Sequence, residues 1–452
     1  FLSIYYIHCS EREILGSCPP DMASEKGAWS PTSWHGLPVN QMADWEDKAL
    51  ASSVLQKIAR LPPLVHPKEA TRLKSFLAEA ARGERFIVQG GDCAERFVDC
   101  ESDRLEKQLR LMLQFCMIVE HSSGKPTTCV CRIAGQYGKP RSKPTETVEG
   151  HGEVMSFKGD NINGFEVADR KWDPERLLQG YFHSAATLNY LRTFVANGEL
   201  EDFAKINLEA LAAAPEIASL TTRAKEIEGK YASTVPCEFF TSHEGMQLDL
   251  EESLTRKSGD KYFNVGAHLI WIGDRTRQLD CAHVEYFRGI ANPVGVKVGP
   301  SMKPDELKEL VQVMNPNKEE GKLMLITRYG AGKVEDMLPA HIQAVKESGV
   351  PVVWQCDAVH GNGIVASNKL KTRKMDDILA EIASAIAVHK KCGSILAGIH
   401  LEMSGQEGIT ECLGGAIGLT EEKLLENYET YCDPRLNYAQ ALEAAFKLSS
   451  AM

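Results

Sequence analysis

Eight short apolar runs limit most strongly what this chain can fold into. Most are closed by polar, glycine-containing loops, and several are flanked by amphipathic helices. They fall at Phe86–Gln89, Thr127–Ile133, Glu238–Ser242, Tyr262–Trp271, Val294–Val298, Leu323–Thr327, Val350–Gln355 and Ile395–Leu401. Strand–helix alternation favours a parallel sheet, because a parallel connection needs a crossover long enough to hold a helix. Eight such units predict an α/β fold of the (β/α)8 TIM-barrel class, with its chemistry at the C-terminal strand ends.

Two helical segments precede the first strand. Asp44–Arg60 carries Leu50, Val54, Leu55 and Ile58 on one face, and Pro67–Arg82 carries a similar stripe. Further helices are expected at Asp103–Val119, Pro304–Met314, Val334–Ser348 and Met375–Lys391. The regularity breaks once, between strands two and three, where the connection far exceeds an ordinary crossover. There Asp173 and Pro174 open a helix with Leu178, Phe182, Ala185 and Leu188 as its stripe and Asn197-Gly198 as its end. A further helical pair is expected over Leu200–Tyr231. The predicted division is a leader at 1–28, disordered or outside the working protein (Met22-Ala-Ser reads as a start). An arm with extra-barrel helices follows at 29–85, then a barrel at 86–452 with a helical insertion at 141–236.

The net charge of −11 argues against nucleic acid or an anionic membrane surface as a general partner. No run of about 18 apolar residues marks a membrane span. The thirteen cysteines show no regular framework, and Cys116, Cys129, Cys131 and Cys356 lie inside apolar runs. That pattern fits a reducing compartment. The expected location is cytoplasmic, with a plastid as the alternative if a transit peptide is missing from this chain.

Four metal-capable side chains stand at or near strand ends. They are Cys93 in Gly-Gly-Asp-Cys-Ala-Glu, His360 in Cys-Asp-Ala-Val-His-Gly-Asn, Glu402 in Gly-Ile-His-Leu-Glu-Met-Ser and Asp433 in Tyr-Cys-Asp-Pro-Arg-Leu-Asn. Each alone has an ordinary structural explanation: a core thiol, a satisfied histidine, an ion pair, a turn cap. Together they form a mixed donor set. Thiolate and imidazole suit zinc, cobalt or iron, and carboxylates also accept manganese and magnesium. Asp92 and Glu95 are expected to support Cys93, and His400, two residues before Glu402 on the same strand face, is a reserve ligand. Cys432 adjoins Asp433, so oxidation with Cys93 would remove a donor, the alternative being two distant core thiols.

Basic residues accumulate at the same strand ends: Arg132, Lys139, Arg141, Arg275, Arg277, Lys297 and Arg328. Guanidinium forks bind phosphate and carboxylate oxygens in pairs. Ion pairing with Asp274, Glu244 or Glu95 explains any one of them more simply than the whole group in an acidic protein. Ser242-His243 lacks the elbow pattern of a nucleophilic hydrolase. No phosphate-binding or dinucleotide glycine fingerprint stands in a convincing context.

These motifs, read in order from about Trp29 to the C-terminus, resemble the class II (plant-like) 3-deoxy-D-arabino-heptulosonate 7-phosphate (DAHP) synthases. Lys-Pro-Arg-Ser at 139–142, Arg-Thr-Arg-Gln-Leu-Asp at 275–280 and Cys-Asp-Pro-Arg-Leu-Asn at 432–437 carry the likeness most specifically. The resemblance implies a barrel with added helices and a divalent metal, manganese first and cobalt second, on Cys93, His360, Glu402 and Asp433. It implies phosphoenolpyruvate contacts at Arg132, Asp274, Arg275, Lys297 and Arg328, and erythrose 4-phosphate contacts at Lys139, Arg141 and Ser142. Cys93, His360 and Lys297 are its expected catalytic residues. The implied reaction joins phosphoenolpyruvate, erythrose 4-phosphate and water into DAHP and phosphate, the first step toward chorismate and the aromatic amino acids. A homo-oligomer, dimer or larger, and an aromatic feedback effector are also implied.

This sequence departs from the family pattern at several points. Asp274 replaces a glutamate, Cys-Asp-Ala-Val-His replaces Cys-Asp-Pro-Met-His, and Arg-Tyr-Gly replaces Arg-Met-Gly after strand six. The Ser404–Gly408 loop carries an extra residue, and the insertion is shortened before Val235. None of these changes removes a ligand. The rivals are an aldol-type synthase using another aldose phosphate and a non-catalytic regulatory subunit, which would have no need of an intact ligand set.

Overall fold

A computed structural model describes residues 28–196, 201–212, 214–231 and 238–452. The expected leader lies outside these residues except for Ala28, as do the expected helix end at Asn197-Gly198 and the last residues of the expected insertion.

The helices are α1 Lys48–Arg60, α2 Pro67–Ala81, α3 Ser102–Ser123, α4 Glu175–Ala196, α5 Ile217–Tyr231, α6 Leu248–Ser253, α7 Ala282–Gly289, α8 Pro304–Met314, α9 Val334–Ser348, α10 Met375–Lys391 and α11 Tyr438–Ala451. The barrel strands are β1 Phe86–Gly91, β2 Thr127–Arg132, β3 Phe239–Glu244, β4 Leu269–Ile272, β5 Val294–Val298, β6 Leu323–Thr327, β7 Val353–Asp357 and β8 Leu396–Glu402. All neighbouring pairs are parallel, and β8 closes the barrel onto β1. Among the described residues, three antiparallel hairpins decorate it: Thr145–Val148 with Gly152–Met155, Thr255–Ser258 with Lys261–Asn264, and Gly363–Val365 with Lys371–Arg373.

The expected strand at Tyr262–Trp271 is in fact two pieces. Lys261–Asn264 pairs within its hairpin, and only Leu269–Ile272 enters the barrel. The alternating segment Lys-Tyr-Phe-Asn reads as a strand either way, and Gly266 lies in the connection between the two. Strand seven begins three residues later than expected, after Pro351, which cannot donate to a ladder.

Two packing layers leave one end of the barrel open. Outside, a large apolar core joins the strands to the surrounding helices, with α3 contributing Leu109, Met112, Phe115, Cys116 and Val119. Inside, Ile87, Val130, Phe240, Leu269, Met324, Val353 and Ala397, most of them from the first part of their strands, cluster with Leu73, Leu77 and Ala80 of α2. Helix α2 therefore stoppers the N-terminal end of the barrel, which leaves the C-terminal end for chemistry. Its start is fixed by a capping box between His66 and Glu69 with Pro67 in the first turn.

Helix α1 packs on the inserted α4 through Val54, Ile58, Leu177, Tyr181 and Leu188. Of the stripe expected on α4, Leu188 is buried and Leu178 and Ala185 pack against the same cluster, but Phe182 is 55% exposed, and the buried face also takes in Leu177, Gly180, Tyr181, Ser184 and Thr187. Small residues set this face, since a Cβ at Gly180 would lie 2.0 Å from Asn161 Oδ1. No described helix is long and apolar enough to cross a membrane.

Candidate active site

The end of β1 turns sharply so that Cys93 points into the C-terminal mouth. Gly91 has φ +138°, and a Cβ there would come within 2.7 Å of the Arg132 carbonyl on β2, so only glycine fits. The loop beyond β2 is strained as well, with Ala134 in the left-handed region at φ +62°. Buried Glu95 holds it by accepting the backbone N–H groups of Ala134, Gly135 and Gln136 at 2.8, 3.0 and 2.7 Å. Burial pushes the Glu95 carboxyl up to about 7, and those three donors work against the shift. Arg435 ties Asp92 at 2.6 Å to the fully buried Glu411 at 2.7 Å. Asp92 and Glu95 thus order the loop that carries Cys93.

The fold brings three of the four expected donors into one cluster and sets His360 at its edge. Cys93 Sγ and one oxygen each of Glu402 and Asp433 lie within 4.8 Å of one another. His360 joins through the same carboxylate, its Nε2 standing 3.0 Å from Glu402 Oε1. A thiol, an imidazole and two carboxylates are chemically suited to a divalent first-row ion, so the residues present fit a metal. Glu402 is fully buried, yet its charge is well compensated: Arg132 lies at 3.1 Å and Arg373 at 2.8 Å. Burial alone would raise its pKa, but His360, Lys139 and Arg373 hold it well below the usual carboxylate range. Asp433 is likewise held far down, chiefly by Lys139.

His400, the reserve ligand, does not join the donors. Its Nε2 accepts from Arg132 Nη1 at 2.6 Å, and its ring packs edge-on against Trp271. Burial keeps it neutral, with a pKa well below the usual histidine value. Arg132 is itself buried and fully engaged, donating also to the carbonyls of Asp92 and Cys93 at 2.7 and 2.8 Å.

A cavity of about 440 Å³ opens above the donors, and its wall includes Lys139, Arg141, Ser142, Asp274, Arg275, Lys297, Arg328, His360 and Asp433. The remaining expected site residues, Cys93, Arg132 and Glu402, are buried and touch that wall through Lys139 and His360. Arg275 is exposed and donates to Ser142 Oγ at 2.8 Å, so the two expected substrate regions meet there. Arg328 is held by Asp274 at 3.1 Å and by the His360 carbonyl at 2.9 Å. Arg277, counted with the anion cluster on sequence grounds, is buried and paired with Asp274 and Glu306, so it belongs to the supporting structure.

Three residues matter more here than the sequence suggested. Asp357, at the end of β7, contacts Lys297 Nζ and lies 2.7 Å from His360 Nδ1, so it links a cavity lysine to a metal-capable histidine. Its position three residues before His360 in the Cys-Asp-Ala-Val-His motif was the available signal. Arg373, in the hairpin strand Lys371–Arg373, braces Glu402 at 2.8 Å. Lys139 sits among the donors themselves: its Nζ is 2.7 Å from Cys93 Sγ and 2.7 Å from Asp433 Oδ2. Burial opposes its charge, but Asp433, Cys93 and Glu402 hold its pKa well above the usual lysine value. Cys432 Sγ lies 2.7 Å from Cys93 Sγ, and burial pushes the Cys93 thiol up.

Residues 29–449 match the class-II DAHP synthetase family. The chain belongs to that family. It is 44% identical over 451 residues to the phospho-2-dehydro-3-deoxyheptonate aldolase of Neurospora crassa, covering 92% of this chain and 93% of that protein. Proteins of the same name from Streptomyces coelicolor and Mycolicibacterium smegmatis are 39% and 38% identical, over 92% of this chain and 95% and 93% of theirs. The departures noted in the sequence leave this membership intact, because the donors and the cavity residues occupy one mouth.

Proposed function

We propose that this chain condenses phosphoenolpyruvate with D-erythrose 4-phosphate and water, releasing DAHP and inorganic phosphate. The observation that carries the reading is the meeting of Cys93, His360, Glu402 and Asp433 under a cavity walled by basic side chains. Family membership supplies the substrate pair.

Those four residues would hold a divalent ion, with manganese the first choice and cobalt the second. When bound, such an ion supplies Lewis acidity toward the aldehyde oxygen. Arg275, Lys297 and Arg328 face the cavity and grip the phosphate and carboxylate of phosphoenolpyruvate, while Arg132 works from below by fixing Glu402 and the Cys93 loop. Asp274 keeps Arg328 in place. Lys139, Arg141 and Ser142 meet the phosphate of the aldose. Alignment of the two substrates lets carbon 3 of the enol phosphate attack the aldehyde carbon. Water adds at carbon 2, and phosphate leaves with cleavage of its bond to that carbon. Product analysis tests the substrate assignment. Erythrose 4-phosphate should give one mole of DAHP per mole of phosphate, and a preference for another aldose phosphate would reject it.

Lys297 gives the reading a pH signature. Burial lowers its pKa to about 8, against the pull of Asp357. Below that value the ammonium is charged and attracts a carboxylate; above it the attraction fades. The KM for phosphoenolpyruvate should climb above pH 8, approaching about tenfold per unit. Lys297→Arg, whose guanidinium stays charged, should flatten the climb, and an equally steep profile in that variant would remove Lys297 from substrate binding.

The sulfur pair gives a second expectation. A mild disulfide oxidant such as diamide should take two electrons and two protons from Cys93 and Cys432, forming one S–S bond and consuming a metal-capable thiol. Peptide mass spectrometry should find the Cys93–Cys432 crosslink together with lost activity, both reversed by dithiothreitol. Oxidative loss of activity without that crosslink would end the idea.

A further inference from the structure

Lys139 occupies the space that a metal would need. Its Nζ lies 2.7 Å from Cys93 Sγ, 2.7 Å from Asp433 Oδ2 and 3.9 Å from Glu402 Oε1. Those three donors are within 4.8 Å of one another. An ion bonded to thiolate and carboxylate sits about 2.0–2.4 Å from each. Ion and ammonium would therefore claim one small volume, and both are positive.

The lysine has a way out. Its backbone is anchored, with the N–H donating to the Lys158 carbonyl at 2.7 Å, so the segment itself can stay in place. The four-carbon stem is flexible. The side chain also borders the mouth cavity beside Arg141, Ser142 and Lys371, which offers the head group both space and water.

Building on the metal reading above, we propose that Lys139 is an internal exchange cation. Its ammonium and the divalent ion compete for Cys93, Asp433 and Glu402, and loading the ion moves the ammonium into the mouth cavity. Three consequences follow from the geometry. The two carboxylates stay paired, and all three donors stay ordered, before the ion arrives. The affinity of the site is the difference between holding the ion and holding the lysine. The displaced charge joins Arg141 and Lys371 on the wall where an anionic substrate enters.

The test uses full-length protein stripped by chelator and desalted, titrated with Mn²⁺ in the absence of substrate, with free ion read by its electron paramagnetic resonance signal. Lys139→Met and Lys139→Gln should bind Mn²⁺ about tenfold more tightly than wild type, since the ion no longer breaks charge-assisted bonds to the lysine. A second readout needs no variant. A short pulse of acetylating reagent, followed by peptide mass spectrometry, should label Lys139 more when Mn²⁺ saturates the wild-type protein. Equal or weaker Mn²⁺ binding by both variants would overturn the inference, as would labelling that stays constant or falls on loading. Cys93→Ser separates the two levels of the argument. If wild type binds no Mn²⁺, or Cys93→Ser binds it undiminished, the metal site falls and this inference falls with it. If Cys93→Ser weakens binding but the lysine variants do not strengthen it, only the role of Lys139 is wrong.

Discussion

Glu402→Gln is expected to abolish turnover and to cost about 3–5 kcal/mol of stability, the range for removing one member of a buried charge cluster. Glu402 is inaccessible to solvent and is the common partner of Arg132, Arg373 and His360, with Lys139 3.9 Å away. A glutamine amide has nearly the same shape, so packing is preserved and the change is mainly electrostatic. It would leave two buried guanidinium groups facing a neutral side chain whose NH₂ group repels their N–H donors. Arg132 also anchors the Cys93 loop, so its disturbance would reach the thiol. Urea unfolding measures the stability term, and phosphate release with both substrates measures turnover. Wild-type stability in this variant would mean that the charges of the site are balanced without Glu402.

The second large effect is expected from Cys93→Ser. Its sulfur lies at the junction of Lys139, Asp433 and Cys432, with the side chain almost wholly buried. Serine keeps the size roughly but exchanges a soft thiolate donor for a hydroxyl that stays protonated at neutral pH. Turnover should fall by more than about a hundredfold, beyond the 10–100-fold typical of residues that only orient a ligand. The fold should persist, because no buried ion pair is stranded. Near-normal turnover would exclude Cys93 as a required donor; collapse of the folded state would show that its role is structural.

Much of this was legible before any coordinates. The barrel strands announced themselves because a strand covered on both faces must be largely apolar, and Phe86–Gln89, Val294–Val298 and Leu323–Thr327 fit that use. The four donors were legible because cysteine, histidine and two acids at strand ends have few joint explanations. Other features were hidden for physical reasons. The segment Tyr262–Trp271 alternates like a strand on both sides of Gly266, so composition could not reveal that it pairs with two different partners. On α4 the exposure of Phe182 was hidden because it is more apolar than Gly180, Ser184 and Thr187, yet close approach of the chain at Asn161 favours those small residues on the buried face. The pairing of Arg277 with Glu306 depends on the barrel closing α8 toward the loop after β4, which no local pattern encodes. The placement of Lys139 among the donors rests on the reach of a long side chain from a loop, and neither spacing nor residue type fixes that.

The most direct test of the central claim is removal and return of the ion. Enzyme treated with chelator and desalted should release no phosphate from phosphoenolpyruvate and erythrose 4-phosphate, and added Mn²⁺ should restore release together with DAHP in equal amount. Stripped enzyme that turns over at the untreated rate, verified free of metal by elemental analysis, would contradict the assignment of Cys93, His360, Glu402 and Asp433 as a metal site.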